Sequence, residues 1–301
     1  MSTNLSTGTP RRPSADGEAR RKLLDGLPVS EHRLELADVS TALLEGGEGP
    51  DMLLLHGPAA YGASWQQVLR ELVTTHHVIA PDLPGHGASS MVEGHLNGAR
   101  VTAWLGELIE QTCITPPVLV GQLVGGAIAA RFAADQGERL ERLVLVTPLG
   151  LAPFEPSPAF GAALMGFLSN PGEETHDELW AHCVHDLEAL RRQPGARWEL
   201  LKAYSLDVLR TTRVTEAMDE LMEEFATTPI PEATLARIAV PTTLIWGRHD
   251  SIVPFSVGEA ASARYGWPLR VIENAGNEPA LEAPDAFLYA LLSDRPKEQR
   301  R

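Results

Sequence analysis

The chain has 301 residues, of which 44% are apolar and 22% charged, proportions ordinary for a soluble globular protein. A formal net charge of −15 argues against nucleic acid or an acidic membrane face as partner, and no apolar run reaches the roughly 18 residues of a membrane helix. The two cysteines, Cys113 and Cys183, fit a reduced cytosol without excluding a disulfide, and the N-terminus lacks the apolar core of a secretory signal, so a cytoplasmic location is expected.

Residues 1–27 are rich in Ser, Thr, Gly, Pro and Arg without a hydrophobic period, and they read as a disordered leader with Arg11-Arg12 and Arg20-Arg21 solvated. His32–Val39 alternates polar and apolar residues, as a half-exposed strand does. Thr41–Glu45 follows, and Gly46-Gly47-Glu48-Gly49 reads as a hairpin turn. Met52–Leu55 is continuously apolar, which fits a strand buried on both faces of a mostly parallel sheet. Beyond the turn His56-Gly57-Pro58-Ala59-Ala60, a helix is expected over Ala63–Leu72 and a strand over His77–Ala80. A loop with many turn residues then spans Asp82–Ser89. A helix around Ala99–Thr112 leads into a strand at Pro117–Val120, a glycine-pinched corner at Gly121–Gly126 and an alanine-rich helix. The strand signal returns over Leu140–Pro148. Strands alternating with helices at this spacing imply βαβ units and a parallel sheet.

From about Gly150 to Arg237 the strand signal disappears. Helix-period segments cover Ala159–Leu168, Asp177–Leu190, Trp198–Leu209 and Val214–Glu224. The sheet resumes at Pro241–Gly247, followed by a helix near Val257–Ala263, a strand over Leu269–Ile272 and a helix over Asp285–Leu292. The chain therefore divides into a core of residues 28–149 and 238–301 and an inserted helical cap of residues 150–237.

Four landmarks stand along this pattern: the His-Gly turn at His56, the Asp-x-x-Gly-x-Gly-x-Ser loop from Asp82 to Ser89, the glycine corner, and Gly-x-x-Asp at Gly247–Asp250. With the segment Asn274-Ala275-Gly276-Asn277-Glu278-Pro279, the order resembles the α/β-hydrolase superfamily, in its capped branch of C–C bond hydrolases, epoxide hydrolases and haloperoxidase-like esterases. The resemblance covers about Glu31 to Leu292. It implies an α/β-hydrolase fold: a mostly parallel eight-stranded sheet flanked by helices, with a helical cap insertion.

The resemblance also implies where a catalytic triad would stand. Its nucleophile falls on Leu123, its acid on Asp250 and its histidine on Asn277. Residues 118–127 hold no Ser, Cys, Asp or Thr, so no small shift of alignment restores a nucleophile. A serine needs an imidazole to take its proton, and the imidazole needs an acid to orient it. With hydroxyl and imidazole both gone, the acyl-enzyme route is closed. The family's backbone oxyanion donors fall on Ala59 and Val124, since Pro58 has no N–H. Asp250 beside apolar Leu123 becomes a candidate general base or acid, and Asn277 can orient it but cannot shuttle a proton.

Gln122, His56, His86, Trp180 and Tyr204 are expected about the same pocket. His182 and His185, three apart on an expected helix, match no common metal signature, and neither metal nor cofactor is expected. The leading reading is a non-hydrolytic enzyme of small-molecule metabolism, carrying out an elimination, cyclisation or isomerisation between core and cap. Its substrate would be largely apolar with a carbonyl, and a homodimer is compatible. A ligand-binding or partner protein without catalysis, and a hydrolase with relocated residues, remain as alternatives.

Overall fold

A computed structural model describes residues 16–293, apart from 92–93, 194, 196 and 210–211. The described residues open with a helix, α1 (Asp16–Leu24), which corrects the disordered reading of that part of the leader. Leu23 is wholly buried and Arg20 is 6% exposed, so α1 is docked. The i, i+3, i+4 spacing of Arg20, Leu23 and Leu24 puts them on one helix face. Residues 1–15 lie outside the described residues.

The elements then run β1 (Ser30–Leu36), β2 (Val39–Gly46), β3 (Asp51–Leu55), α2 (Gln66–Leu72), β4 (His77–Pro81), β5 (Ser90–Met91), α3 (Gly98–Thr112), β6 (Val118–Gln122), α4 (Val124–Gln136) and β7 (Arg142–Val146). After them come α5 (Pro158–Ser169), α6 (Glu173–Cys183), α7 (Leu187–Arg192), α8 (Trp198–Leu209), α9 (Thr212–Met222) and α10 (Glu232–Leu235). The chain closes with β8 (Thr242–Gly247), α11 (Phe255–Tyr265), β9 (Leu269–Ile272), α12 (Pro279–Glu282) and α13 (Pro284–Leu292).

The sheet order is β1-β2-β4-β3-β6-β7-β8-β9, with the short β5 pairing β2, so nine strands stand among the described residues where eight were expected. β2 is antiparallel to both β1 and β4, and from β4 to β9 all pairings are parallel. This order corrects the expected hairpin at Gly46–Gly49. β2 and β3 do not pair; they lie on either side of β4. The hairpin is one step earlier, where Ala37 (φ +45°) and Asp38 (φ +63°) join β1 to β2. Two central residues with positive φ match the right-handed twist of the flanking strands.

β3 and β6 are buried along their whole length, as continuous apolar runs in a parallel sheet require. α3 packs with α4, and α2 with α12 and α13, as the two helical groups that flank the sheet. Between β7 and β8 the described residues carry helices and no strand. The single helix expected over Asp177–Leu190 is two, α6 and α7. Asp186 explains the break: its Oδ1 accepts the Ala189 N–H at 2.8 Å and caps a new helix.

Candidate functional site

The glycine corner is a strand-to-helix elbow between β6 and α4, with Leu123 at its apex at φ +48°, ψ −115°. Positive φ on a branched residue costs about 1–3 kcal/mol and persists only where its surroundings hold it. Glycines hold it here by permitting close approach. A Cβ on Gly121 would lie 2.4 Å from Gly125 O, and one on Gly125 would lie 2.5 Å from His56 O. Leu123 N donates to Val146 O at 3.2 Å, and Leu123 O accepts from Ala127 N at 3.0 Å and Leu149 N at 3.1 Å. The turn is thus fixed by backbone, independently of the side chain at its apex.

That side chain leans towards the His-Gly turn. Leu123 Cδ1 would be 3.1 Å from a Cβ on Gly57, so Gly57 is the space into which the leucine packs. Ala59, in the same turn, has φ +54°. Val124 opens α4, where the N–H has no intrahelical acceptor. No hydrogen bond to the Ala59 or Val124 N–H occurs among the described residues.

Asp250 follows β8 and is 7% exposed. Its Oδ1 accepts the Ile252 and Val253 N–H groups, each at 2.9 Å, and its Oδ2 accepts Asn277 Nδ2 at 3.1 Å. Burial pushes its pKa up to about 6, against the lowering effect of those three hydrogen bonds. Asn277 is 1% exposed. Its backbone N–H donates to Cys183 O at 2.9 Å, and Nδ2 also reaches Thr147 Oγ1 at 3.5 Å. Thr147, at φ +40°, escaped notice in the sequence because nothing in its local pattern marks a site.

Gln122 Nε2 donates to Asn277 O at 3.0 Å and to Glu278 Oε2 at 2.9 Å, tying the elbow to the loop that carries Asn277. Burial pushes Glu278 up to about 7, opposed by the Gln122 hydrogen bond and reinforced by Glu282 and Asp250. Burial likewise pushes Glu282 up to about 7. Its oxygens accept the N–H groups of His185, Gly276 and Glu278 at 2.6, 2.8 and 3.2 Å. Glu278 and Glu282 were missed as titrating groups. The signal was present: a second and third carboxyl beside Asn277 in a loop that folds back on Asp250.

The other expected residues have partners of their own. His56 is wholly buried, with Nδ1 on Gly57 O at 2.7 Å and Nε2 accepting Leu83 N at 2.9 Å. Burial holds its pKa down near 3, so it is a neutral clasp between two loops. His86 is also buried and held down to about 4, with Nδ1 on Pro84 O at 3.1 Å. Trp180 is not beside Leu123 in the contacts it makes. It stacks with His176 at a ring distance of 5.7 Å and meets Trp198 edge-on at 5.1 Å, because α6 and α8 turn their aromatic faces together. Tyr204 is 2% exposed, and its hydroxyl accepts from Arg20 Nη1.

Cys113 and Cys183 are both free, and burial raises the Cys183 thiol well above its ordinary range, against a role as nucleophile. His185 lies beyond the end of α6 and stacks on His249 at 3.8 Å instead of sharing a helix face with His182. Among the described residues, no three His, Cys, Asp or Glu side chains are grouped to hold a metal, and no helix is long and apolar enough to cross a membrane. A cleft of about 1120 Å³ is lined by α1 and β1 residues including Arg20 and Arg33, and a second of about 730 Å³ by Glu45, Asp51 and His77. Neither is lined by Leu123 or Asp250.

The parallel sheet with its leading antiparallel strands, the elbow after β6 and the acid loop after β8 define an α/β-hydrolase fold. The chain belongs to the Alpha/beta hydrolase family, whose profile matches residues 52–290. It is 27% identical over 267 residues to the pimeloyl-[acyl-carrier protein] methyl ester esterase of Aeromonas salmonicida, covering 83% of this chain and 97% of the relative. It is 28% identical over 251 residues to the dihydrolipoyllysine-residue acetyltransferase component of the acetoin cleaving system of Cupriavidus necator. That match takes in 81% of this chain and spans 63% of the longer relative's length. Among solved structures, the 2-hydroxy-6-oxo-6-phenylhexa-2,4-dienoate hydrolase of Rhodococcus sp. strain RHA1 matches with a TM-score of 0.77 and 27% identity, covering 88% of this chain and 98% of the other.

Proposed function

We propose that the protein is a non-hydrolytic member of this family: a cytosolic enzyme of small-molecule metabolism that moves protons on a largely apolar carbonyl compound without an acyl-enzyme. The observation that carries the reading is Asp250. It is buried, hydrogen-bonded to Asn277 where an imidazole would otherwise stand, and raised to a pKa of about 6. A carboxyl that titrates near neutrality is suited to general acid–base work. Asn277, shorter than histidine, holds Oδ2 without competing for its proton. Ala59 and Val124 N–H groups are the candidates to polarise the carbonyl as charge develops on its oxygen. Elimination, cyclisation and isomerisation all need this set and no nucleophile.

The named relatives are an esterase, an acetyltransferase component and a hydrolase, whereas the proposal rests on Leu123 and Asn277 at the positions where the family resemblance expects a nucleophile and a histidine. A fluorophosphonate probe tests the departure directly: no covalent labelling of the wild-type chain is expected, and stoichiometric labelling of a serine would return the protein to the hydrolases. For the positive side, a panel of carbonyl-containing metabolites is incubated with wild type and Asp250→Asn. Product formation that Asp250→Asn leaves intact removes Asp250 from the chemistry.

A second reading, a binding protein without catalysis, is favoured by one contact. Leu123 packs into the space at Gly57, beside the turn that holds Ala59. Thermal stabilisation by a metabolite that the protein leaves chemically unchanged would support it.

A further inference from the structure

α1 lies outside the residues matched by the family profile, yet it carries a buried cation. Arg20 Nε donates to Glu31 Oε1 at 2.7 Å. Its Nη1 donates to Tyr204 OH at 2.8 Å and lies 2.9 Å from Asp82 Oδ2. One guanidinium therefore joins α1, β1, the loop after β4, and α8.

Each of two of these partners leads on to the segment just after Ala59. Asp82 is wholly buried; its Oδ1 accepts Gly62 N at 2.7 Å and its Oδ2 accepts Ala88 N at 2.7 Å. Tyr204 meets the Tyr61 ring edge-on at 4.4 Å, and Tyr61 OH donates to Leu201 O at 3.1 Å. The turn is seated tightly, for a Cβ on Gly62 would lie 2.4 Å from Ala80 O.

We infer that Arg20 is a positioning residue for the Gly57–Gly62 turn, acting through Asp82 on Gly62 and through Tyr204 on Tyr61, so that α1 is part of the machinery of the site. The physical reason is the state of Asp82. Burial pushes the Asp82 pKa up, and the Arg20 charge is the largest influence opposing that rise, so Arg20 is what favours the carboxylate there. A carboxylate holds an N–H more strongly than a neutral carboxyl does. Removing Arg20 therefore loosens Gly62 and, with it, the backbone that sets the Ala59 N–H. The significance of the turn rests on reading Ala59 as a carbonyl donor, but the position of the turn does not.

Amide hydrogen exchange, read by NMR on the full chain, tests this without using turnover. Arg20→Ala is expected to speed exchange at the Gly62 and Ala88 amides by about tenfold or more, the equivalent of one weakened charge-assisted hydrogen bond, while amides of β6 keep their wild-type rates. Arg20→Lys keeps the charge without the fork and restores part of the protection. Tyr204→Phe is expected to speed Ser64, whose N–H bonds Tyr61 O, and to leave Ala88 unchanged. Wild-type rates at Gly62 in Arg20→Ala, or an acceleration that includes β6 equally, would overturn the inference. If Arg20→Ala does not fold, unchanged exchange at Gly62 in Arg20→Lys and at Ser64 in Tyr204→Phe overturns it instead. Absence of any turnover by the wild type would remove the acid–base reading of Asp250 and leave these rates as expected.

Discussion

Asp82 and Asp250 are both buried acids just beyond the C-terminal ends of sheet strands, β4 and β8, and the fold gives them different partners. Asp82 has a guanidinium at 2.9 Å and two backbone N–H donors. Asp250 has hydrogen bonds but no ion pair among the described residues, and its nearest ionisable neighbours in the Asn277 loop, Glu278 and Glu282, are carboxyls too. The difference separates architecture from chemistry. Burial pushes the pKa of both acids up; at Asp82 the Arg20 charge opposes that rise and the acid holds loops in place, whereas Asp250, without a cation, titrates near neutrality and is suited to exchange a proton with something bound beside it.

The largest expected effect on this contrast comes from removing the cation. Arg20→Met leaves Asp82 buried without a counter-charge and is expected to cost about 3–5 kcal/mol in urea denaturation. A loss below about 1 kcal/mol would mean that Asp82 accepts a proton without penalty and that the two acids do not differ.

Giving Asp250 an imidazole partner is the converse experiment. Leu123→Ser together with Asn277→His is expected to raise aryl-ester hydrolysis at least about 10³-fold over wild type, with neither single change sufficient, because triad residues act as a unit. p-Nitrophenyl acetate turnover measures it. Failure of the double variant would show that the Asp250 loop or the Ala59 turn no longer has hydrolase geometry.

The elbow between the two acids offers a smaller effect. Gly57→Ala places a methyl 3.1 Å from Leu123 Cδ1, an overpacking expected to cost about 1–3 kcal/mol. In a Leu123→Ala background most of that cost should vanish. A double-mutant cycle reads the coupling, and additive losses would show that Leu123 does not occupy that space.

The smallest effect at neutral pH is expected from Asp250→Asn, within about 1 kcal/mol, since the amide oxygen can keep the Ile252 and Val253 hydrogen bonds and the buried charge is gone. Its pH dependence is more informative. The folded pKa of Asp250 is raised to about 6, above the ordinary carboxylate value, so the native state binds a proton that the unfolded chain has already released. Wild type therefore loses stability, relative to Asp250→Asn, as pH rises from about 4 to about 6, and the gap levels above that. Paired thermal melts from pH 4 to 8 would show it; a gap independent of pH would show that burial does not raise the Asp250 pKa. Any turnover that uses Asp250 as a base should fall as pH drops below about 6.

Much of the frame was legible before any coordinates. Val118–Gln122, Leu269–Ile272 and the elbow glycines stand where strand, strand and turn were expected. Positive φ at Leu123 follows from the spacing of Gly121, Gly125 and Gly126 around it. Errors came where sequence-distant partners decide the outcome. Gly46–Gly49 looks like a hairpin, but β4 pairs with β2 and β3 and separates them. Residues 16–24 look solvated until Asp82 and Tyr204, far along the chain, are brought against Arg20. Tyr204 bonds Arg20 of α1 as well as meeting Tyr61, and Trp180 joins the aromatic contact between α6 and α8, pairings that no local pattern shows.

Continuous apolar strands, glycine pinches and turn chemistry act over a few residues, so the strands, the elbow and the apolar and amide side chains of Leu123 and Asn277 could be read from the chain alone. The charge state of a buried acid is set by whatever the fold brings within a few ångströms of it. Only the tertiary structure could show that Asp82 meets an arginine from α1 while Asp250, beside its expected Asn277, meets no cation among the described residues.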